Sequence, residues 1–92
     1  MEEKNKVFVG TKDIAKYISS CFFALNKFEK VIIISRGSHI KKSLDILAIL
    51  IRDYLDNPEY NVVVKSELFQ GKYVTAIEIE LTGTKRKEEK DG

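Results

Sequence analysis

Four β-branched residues in a row, Val31-Ile32-Ile33-Ile34, run into Ser35-Arg36-Gly37-Ser38 and then into a helical pattern. That joint constrains the chain more than any other stretch. A short run of Val and Ile bounded by Ser and Gly reads as a strand buried on both faces. Gly37 gives the backbone freedom to turn, and Ser38 is a candidate N-cap for the next helix. From there Ile40, Leu44, Leu47, Ala48, Ile51 and Leu55 recur on one helical face. The joint also carries Arg36, His39, Lys41 and Lys42. Cations at a helix N-terminus oppose its dipole. Free N–H groups beside cations make an anion site, and phosphate is its natural guest. The plainer alternative is a solvated turn and a solvated helix face, with His39 a surface residue.

The rest of the chain reads as punctuated elements. Val7-Phe8-Val9 is a short strand ending at Gly10. Ile14, Tyr17, Ile18, Cys21, Phe22 and Leu25 mark a first helix from Lys12 or Asp13 to Leu25, with Asn26 as its left-handed cap. The second helix spans His39 to Leu55. Leu47, Ala48 and Ile51 face its sheet, while Ile46, Ile49 and Leu50 point elsewhere. A second apolar face on so small a domain reads as a subunit interface. Asp56-Asn57-Pro58-Glu59 ends that helix in a turn. Strand three runs from Asn61 to Phe69, and Gln70-Gly71 sits near a hairpin turn. Strand four, Tyr73 to Leu81, alternates, and Thr82 to Gly92 reads as a mixed-charge disordered tail. The order βαβαββ gives an α+β two-layer sandwich, with two helices on a mixed four-stranded sheet. Residues 1–5 read as a flexible leader and 6–81 as one domain.

The run RGSHIKKSLD, preceded by VIIIS, resembles the Alba family of small archaeal chromatin proteins. Their joint reads approximately R-G-R-x-I-x-K-A-V-D. Arg36, Gly37, Ile40, Lys42 and Asp45 match it, and Ser38 stands where the family has an arginine. Val9-Gly10-Thr11-Lys12 resembles the family's V-G-K-K entry, with Thr11-Lys12 in place of a lysine pair of which one is acetylated in some members. Ala24-Leu25-Asn26 resembles its L-N-Q-G helix exit. The resemblance implies a fold similar to the C-terminal domain of translation initiation factor 3. It also implies a dimer through the second helix, built on Ile46, Ile49, Leu50 and Tyr54. Tyr54 matches an aromatic through which neighbouring family dimers touch on DNA. The implied activity is sequence-nonspecific binding of double-stranded DNA by phosphate contacts, coating or compacting it. Lys12, Lys16, Arg36, Gly37, Ser38, Lys41, Lys42 and Lys72 are the implied contacts. Family hairpins are longer and Arg-rich; here only Lys65 and Lys72 serve, against Glu67, so a weaker grip is expected. Phe69 and Tyr73 could stack, or simply pack across strands.

Two other readings stay open. RNA is one, since relatives occur in RNA-processing particles. The other is a heterodimer partner for a more basic Alba paralogue, which the low charge favours: 16 Lys and Arg stand against 14 Asp and Glu, a net charge of +2. No nucleophile–base constellation, metal-ligand spacing or phosphate-loop motif supports an enzyme or a cofactor. Glu78 and Glu80 read as a solvated strand face. Cys21 stands alone, so no intrachain disulfide forms, and it reads as a small core residue. No apolar run approaches a membrane span, and a cytoplasmic, chromosome-associated protein is expected.

Overall fold

A computed structural model describes residues 5–85. The elements are β1 (Lys6–Phe8), α1 (Ile14–Phe28), β2 (Lys30–Arg36), a 3-10 turn (Gly37–His39), α2 (Ile40–Ile49), a π-helical turn (Leu50–Tyr54), β3 (Leu55–Phe69) and β4 (Lys72–Lys85). The sheet order is β1-β2-β4-β3. β1 runs parallel to β2, and β4 pairs antiparallel with both β2 and β3. Both helices cover one face. The buried set Val31, Ile33, Ser35, Ile77, Ile79 and Leu81 points toward them. Ile32, Ile34, Glu78 and Glu80 alternate onto the other, helix-free face. The α+β sandwich expected from the sequence is the fold observed.

Helix α2 is rotated from its expected orientation. Ser43, Ile46, Leu47 and Leu50 are buried, whereas Ala48 and Leu44 are exposed. The spacing i, i+3, i+4, i+7 is still satisfied, but the buried stripe is turned by roughly 90° from the Ile40–Leu44–Ile51 stripe. A polar residue lies at its centre. The Ser35 and Ser43 hydroxyls are 2.8 Å apart, and Ser43 donates to the Ile40 carbonyl at 2.8 Å. The Ser43 proton is used there, so Ser35 donates to Ser43 and both hydroxyls are satisfied in the core. Ile46 and Leu50 are fully buried within one chain. They therefore cannot form the subunit interface assigned to them, and Ile49 is only half-buried. Tyr54 is half-buried too, with its ring edge-on to Phe22 at 5.3 Å between centroids.

Several boundaries also move. α1 continues to Phe28, and Glu29, not Asn26, is the left-handed cap, its N–H donating to the Leu25 carbonyl at 2.8 Å. Ser38 lies inside the 3-10 turn, and no side chain caps α2. Asp56–Glu59 does not turn the chain. β3 starts at Leu55 and absorbs Asn57 and Pro58 as a bulge, because those two residues oppose Gly83 alone. A Cβ on Gly83 would meet the Pro58 Cα at 3.3 Å, so glycine permits the close approach. Thr82–Lys85, expected in a tail, pairs with the start of β3. The rest of the expected tail and residues 1–4 lie outside the described residues. The hairpin is thus long, not short, and the described chain extends 59 Å along its main axis. Gln70 and Gly71 both have positive φ, which is the two-residue turn that matches strand twist. Cys21 is fully buried, and burial pushes its thiol up to about 12.

Candidate nucleic-acid interface

The topology brings three loops to one end of the molecule. Because β1 and β2 are parallel, the loops that follow them leave the sheet on the same side. The first is 9–13, leading to α1; the second is the Arg36–His39 joint, leading to α2. On the antiparallel neighbours Arg36 is in register with Ala76, and Ala76 with Lys65. The hairpin continues four residues past that line to Lys72, which at about 3.3 Å per residue projects it by about 13 Å. Lys12, Lys16, Arg36, Gly37, Ser38, Lys41 and Lys72 all fall at this end, and all are exposed.

The two loops are tied together by Lys42. Its ammonium donates to the Gly10 carbonyl at 3.0 Å and to the Lys12 carbonyl at 2.8 Å. It also lies 5.8 Å from the centre of the Tyr17 ring. The Tyr17 hydroxyl accepts the Gly10 and Lys12 N–H groups at 2.9 and 3.0 Å. Burial would raise that phenol, but the two N–H donors and the charges of Lys42 and Lys12 outweigh it and leave it below its ordinary value. Lys42 is therefore a positioning group, not the free phosphate lysine expected from the sequence. Tyr17 read only as a core residue; the signal for more was its hydroxyl, which a purely apolar position does not need.

The other cations are differently placed. Lys41 pairs with Asp45 one turn on, at 3.1 Å. Arg36 leans onto the hairpin, its Nε donating to Glu67 at 2.9 Å and its guanidinium lying 5.4 Å from the Phe69 ring centre. Such exposed pairs are worth only about 0.2–1 kcal/mol, so a phosphate can displace them. Gly37, at φ 57, occupies the left-handed region at the start of the 3-10 turn, with open space around it. Lys65 is held by Glu78 at 2.7 Å, which raises its already basic amine through the hydrogen bond and the nearby charge. Glu67, read from the sequence only as a counterweight, pairs Arg36 with the arm. Among the described residues no three His, Cys, Asp or Glu side chains gather as a metal site. No described helix is long and apolar enough to cross a membrane.

A helical layer on one side of a mixed sheet, with loops carrying Lys12 and Arg36 and a hairpin arm at one end, defines a small α+β domain. The chain belongs to the Alba family, whose sequence profile matches residues 5–67. It is 32% identical over 89 residues to the DNA/RNA-binding protein Alba of Picrophilus torridus, covering 89% of this chain and 99% of that one. The protein of the same description from Thermoplasma volcanium is 31% identical over 88 residues, with the same coverage. The solved structure of Alba from Thermoplasma volcanium superposes with a TM-score of 0.64 at 28% identity, covering 85% of this chain and 99% of that one. ALBA1 from Trypanosoma brucei superposes with a TM-score of 0.78 over 90% of this chain and 72% of that one; at 18% identity it speaks to the fold alone. The family is not an enzymatic one.

Lys42→Ala is expected to lower stability by about 0.5–1.5 kcal/mol, because it removes two hydrogen bonds that water only partly replaces and loosens the 9–13 loop. Urea denaturation reads the first effect, and faster amide exchange at Gly10 and Lys12 reads the second. Unchanged stability together with weaker duplex binding would make Lys42 a phosphate ligand instead.

Proposed function

We propose that this protein binds double-stranded DNA as a dimer, through phosphates and with little sequence preference, and coats the chromosome. The observation that carries the reading is the convergence of Lys12, the Arg36 loop and the hairpin arm at one end of the sheet. The curated relatives are described as DNA/RNA-binding, which supports nucleic acid as the partner. Base readout needs Arg, Asn or Gln held rigidly at a groove edge. Here the exposed groups are mainly lysines, which meet phosphates as point charges. With roughly three to four contacts per subunit, log K against log salt on duplex DNA should fall with a slope of about −5 to −7. Lys41→Ala should reduce its magnitude by about one per subunit, equally on unrelated duplexes. A slope near zero, or affinities differing more than ~100-fold between random duplexes, contradicts the reading.

The dimer surface differs from the one expected in α2. β3 is an edge strand, and on the helix side it carries Tyr60, Val62, Val64 and Leu68 uncovered. Val64 is 68% exposed. A long apolar edge of this kind invites pairing, and a second copy satisfies it in a self-complementary way. Light scattering should read a dimer for the native chain and a folded monomer for Val62→Asp. Ile46→Ala should instead cost about 2–5 kcal/mol of stability, since it empties the core. A native chain that stays monomeric at high concentration contradicts the dimer. The ion pairs Arg36–Glu67, Lys65–Glu78 and Lys30–Glu80 mute the cations of the helix-free face. They favour, as a second reading, a chain that grips DNA best when paired with a more basic paralogue.

A further inference from the structure

The helix-free face of the sheet ends in an open cleft of about 410 Å³ beside the Arg36 loop. Phe8 and Ile34 form its floor, Phe69 and Val74 come from the hairpin, and Arg36 and His39 stand at its rim. Among the described residues no carboxylate lines it, although Glu67 pairs with Arg36 at its rim. The volume lies within the roughly 300–1,000 Å³ typical of small-molecule clefts. Phe8 is 67% exposed and Phe69 46%. Phe8 neighbours Ile34 across the sheet, so its ring sits on an apolar strip with no helix above it. The Arg36 guanidinium lies against the Phe69 ring, whereas the Phe8 ring stays largely exposed.

Phosphates alone do not account for such a cleft, because a duplex keeps its bases stacked inside. Exposed rings on a bare sheet face suit an unstacked base, and every base offers a π-face to them. Arg36 supplies the complementary charge, and its exposed pair with Glu67 is weak enough to yield to a phosphate. The cleft is also continuous with the cationic loop. We propose that it takes one unstacked nucleobase of a single-stranded nucleic acid. Phe8 is the stacking platform, Phe69 and Val74 are the apolar walls, and Arg36 holds the adjoining phosphate. The proposal rests on the nucleic-acid reading above and adds a second binding mode to it.

The test is anisotropy titration of the full chain, at matched salt, with labelled single-stranded RNA, single-stranded DNA and duplex DNA. Phe8→Ala should weaken single-strand binding about tenfold or more and duplex binding less than about twofold. Phe8→Tyr should restore the single-strand affinity, and Phe69→Ala, at the opposite wall, should act in the same direction as Phe8→Ala. A strand of abasic sugar-phosphate should bind the native chain no better than the normal strand binds Phe8→Ala. A selective loss on RNA, on DNA or on both supports the cleft. Unchanged single-strand affinity in both alanine variants, or equal losses on single strand and duplex, overturns it. Duplex binding without any single-strand binding also overturns it and leaves the duplex reading standing. Binding to neither overturns both.

Discussion

The hydrogen bonds from the Lys42 ammonium to the Gly10 and Lys12 carbonyls join what the sheet alone leaves separate. Parallel pairing of β1 and β2 sends two loops out of the same end, but it does not fix their spacing. Lys42 does, from the first turn of α2, and the Tyr17 hydroxyl satisfies the N–H groups of the same loop. One loop thus has its donors and its acceptors met by two side chains from two helices. A backbone held in this way presents Lys12 and Arg36 at a set distance. A half-exposed charge held in such a tie has geometric value, which a freely solvated lysine lacks.

The hairpin is the second element of the surface, and its length depends on a defect. Asn57 and Pro58 would break a regular strand, since proline removes a donor from the ladder. As a bulge opposite Gly83 they are tolerated, and β3 can begin directly after the π-helical turn. β3 and β4 then run long enough to carry the arm past the sheet. Arg36 leans on that arm through Glu67 and Phe69, so the loop and the hairpin share one edge. The apolar helix-side row of β3 stays uncovered, while the helix-free face carries paired charges and the Phe8 cleft.

The architecture was legible because the short β-branched run Val31–Ile34 and the 3.6-residue repeat of Ile14–Leu25 read so differently. The joint at Arg36 was legible because Gly37 needs a left-handed backbone and the cations cluster around it. The orientation of α2 was not. Six consecutive apolar residues, Ile46–Ile51, fit more than one face, and Ser43 carries no apolar signal that would mark the buried side. Its burial is satisfied by the Ile40 carbonyl one turn back and by the Ser35 hydroxyl on another element. The same kind of long-range partner hid the role of Lys42, because nothing near it in sequence reveals two carbonyls some thirty residues earlier. Pro58 read as a turn because a bulge requires knowing that Gly83 lies opposite.

The central claim is that one end of the sheet, spanning both loops and the hairpin tip, forms a single nucleic-acid surface. Backbone amide shift mapping by NMR, with a short duplex DNA added to the full chain, tests it most directly. The largest changes are expected together at Gly10–Lys12, Arg36–Lys41 and Gln70–Tyr73, saturating at one common concentration. Changes centred instead on the opposite end of the sheet, around Asn26–Lys30, or spread evenly over all exposed lysines, would contradict it.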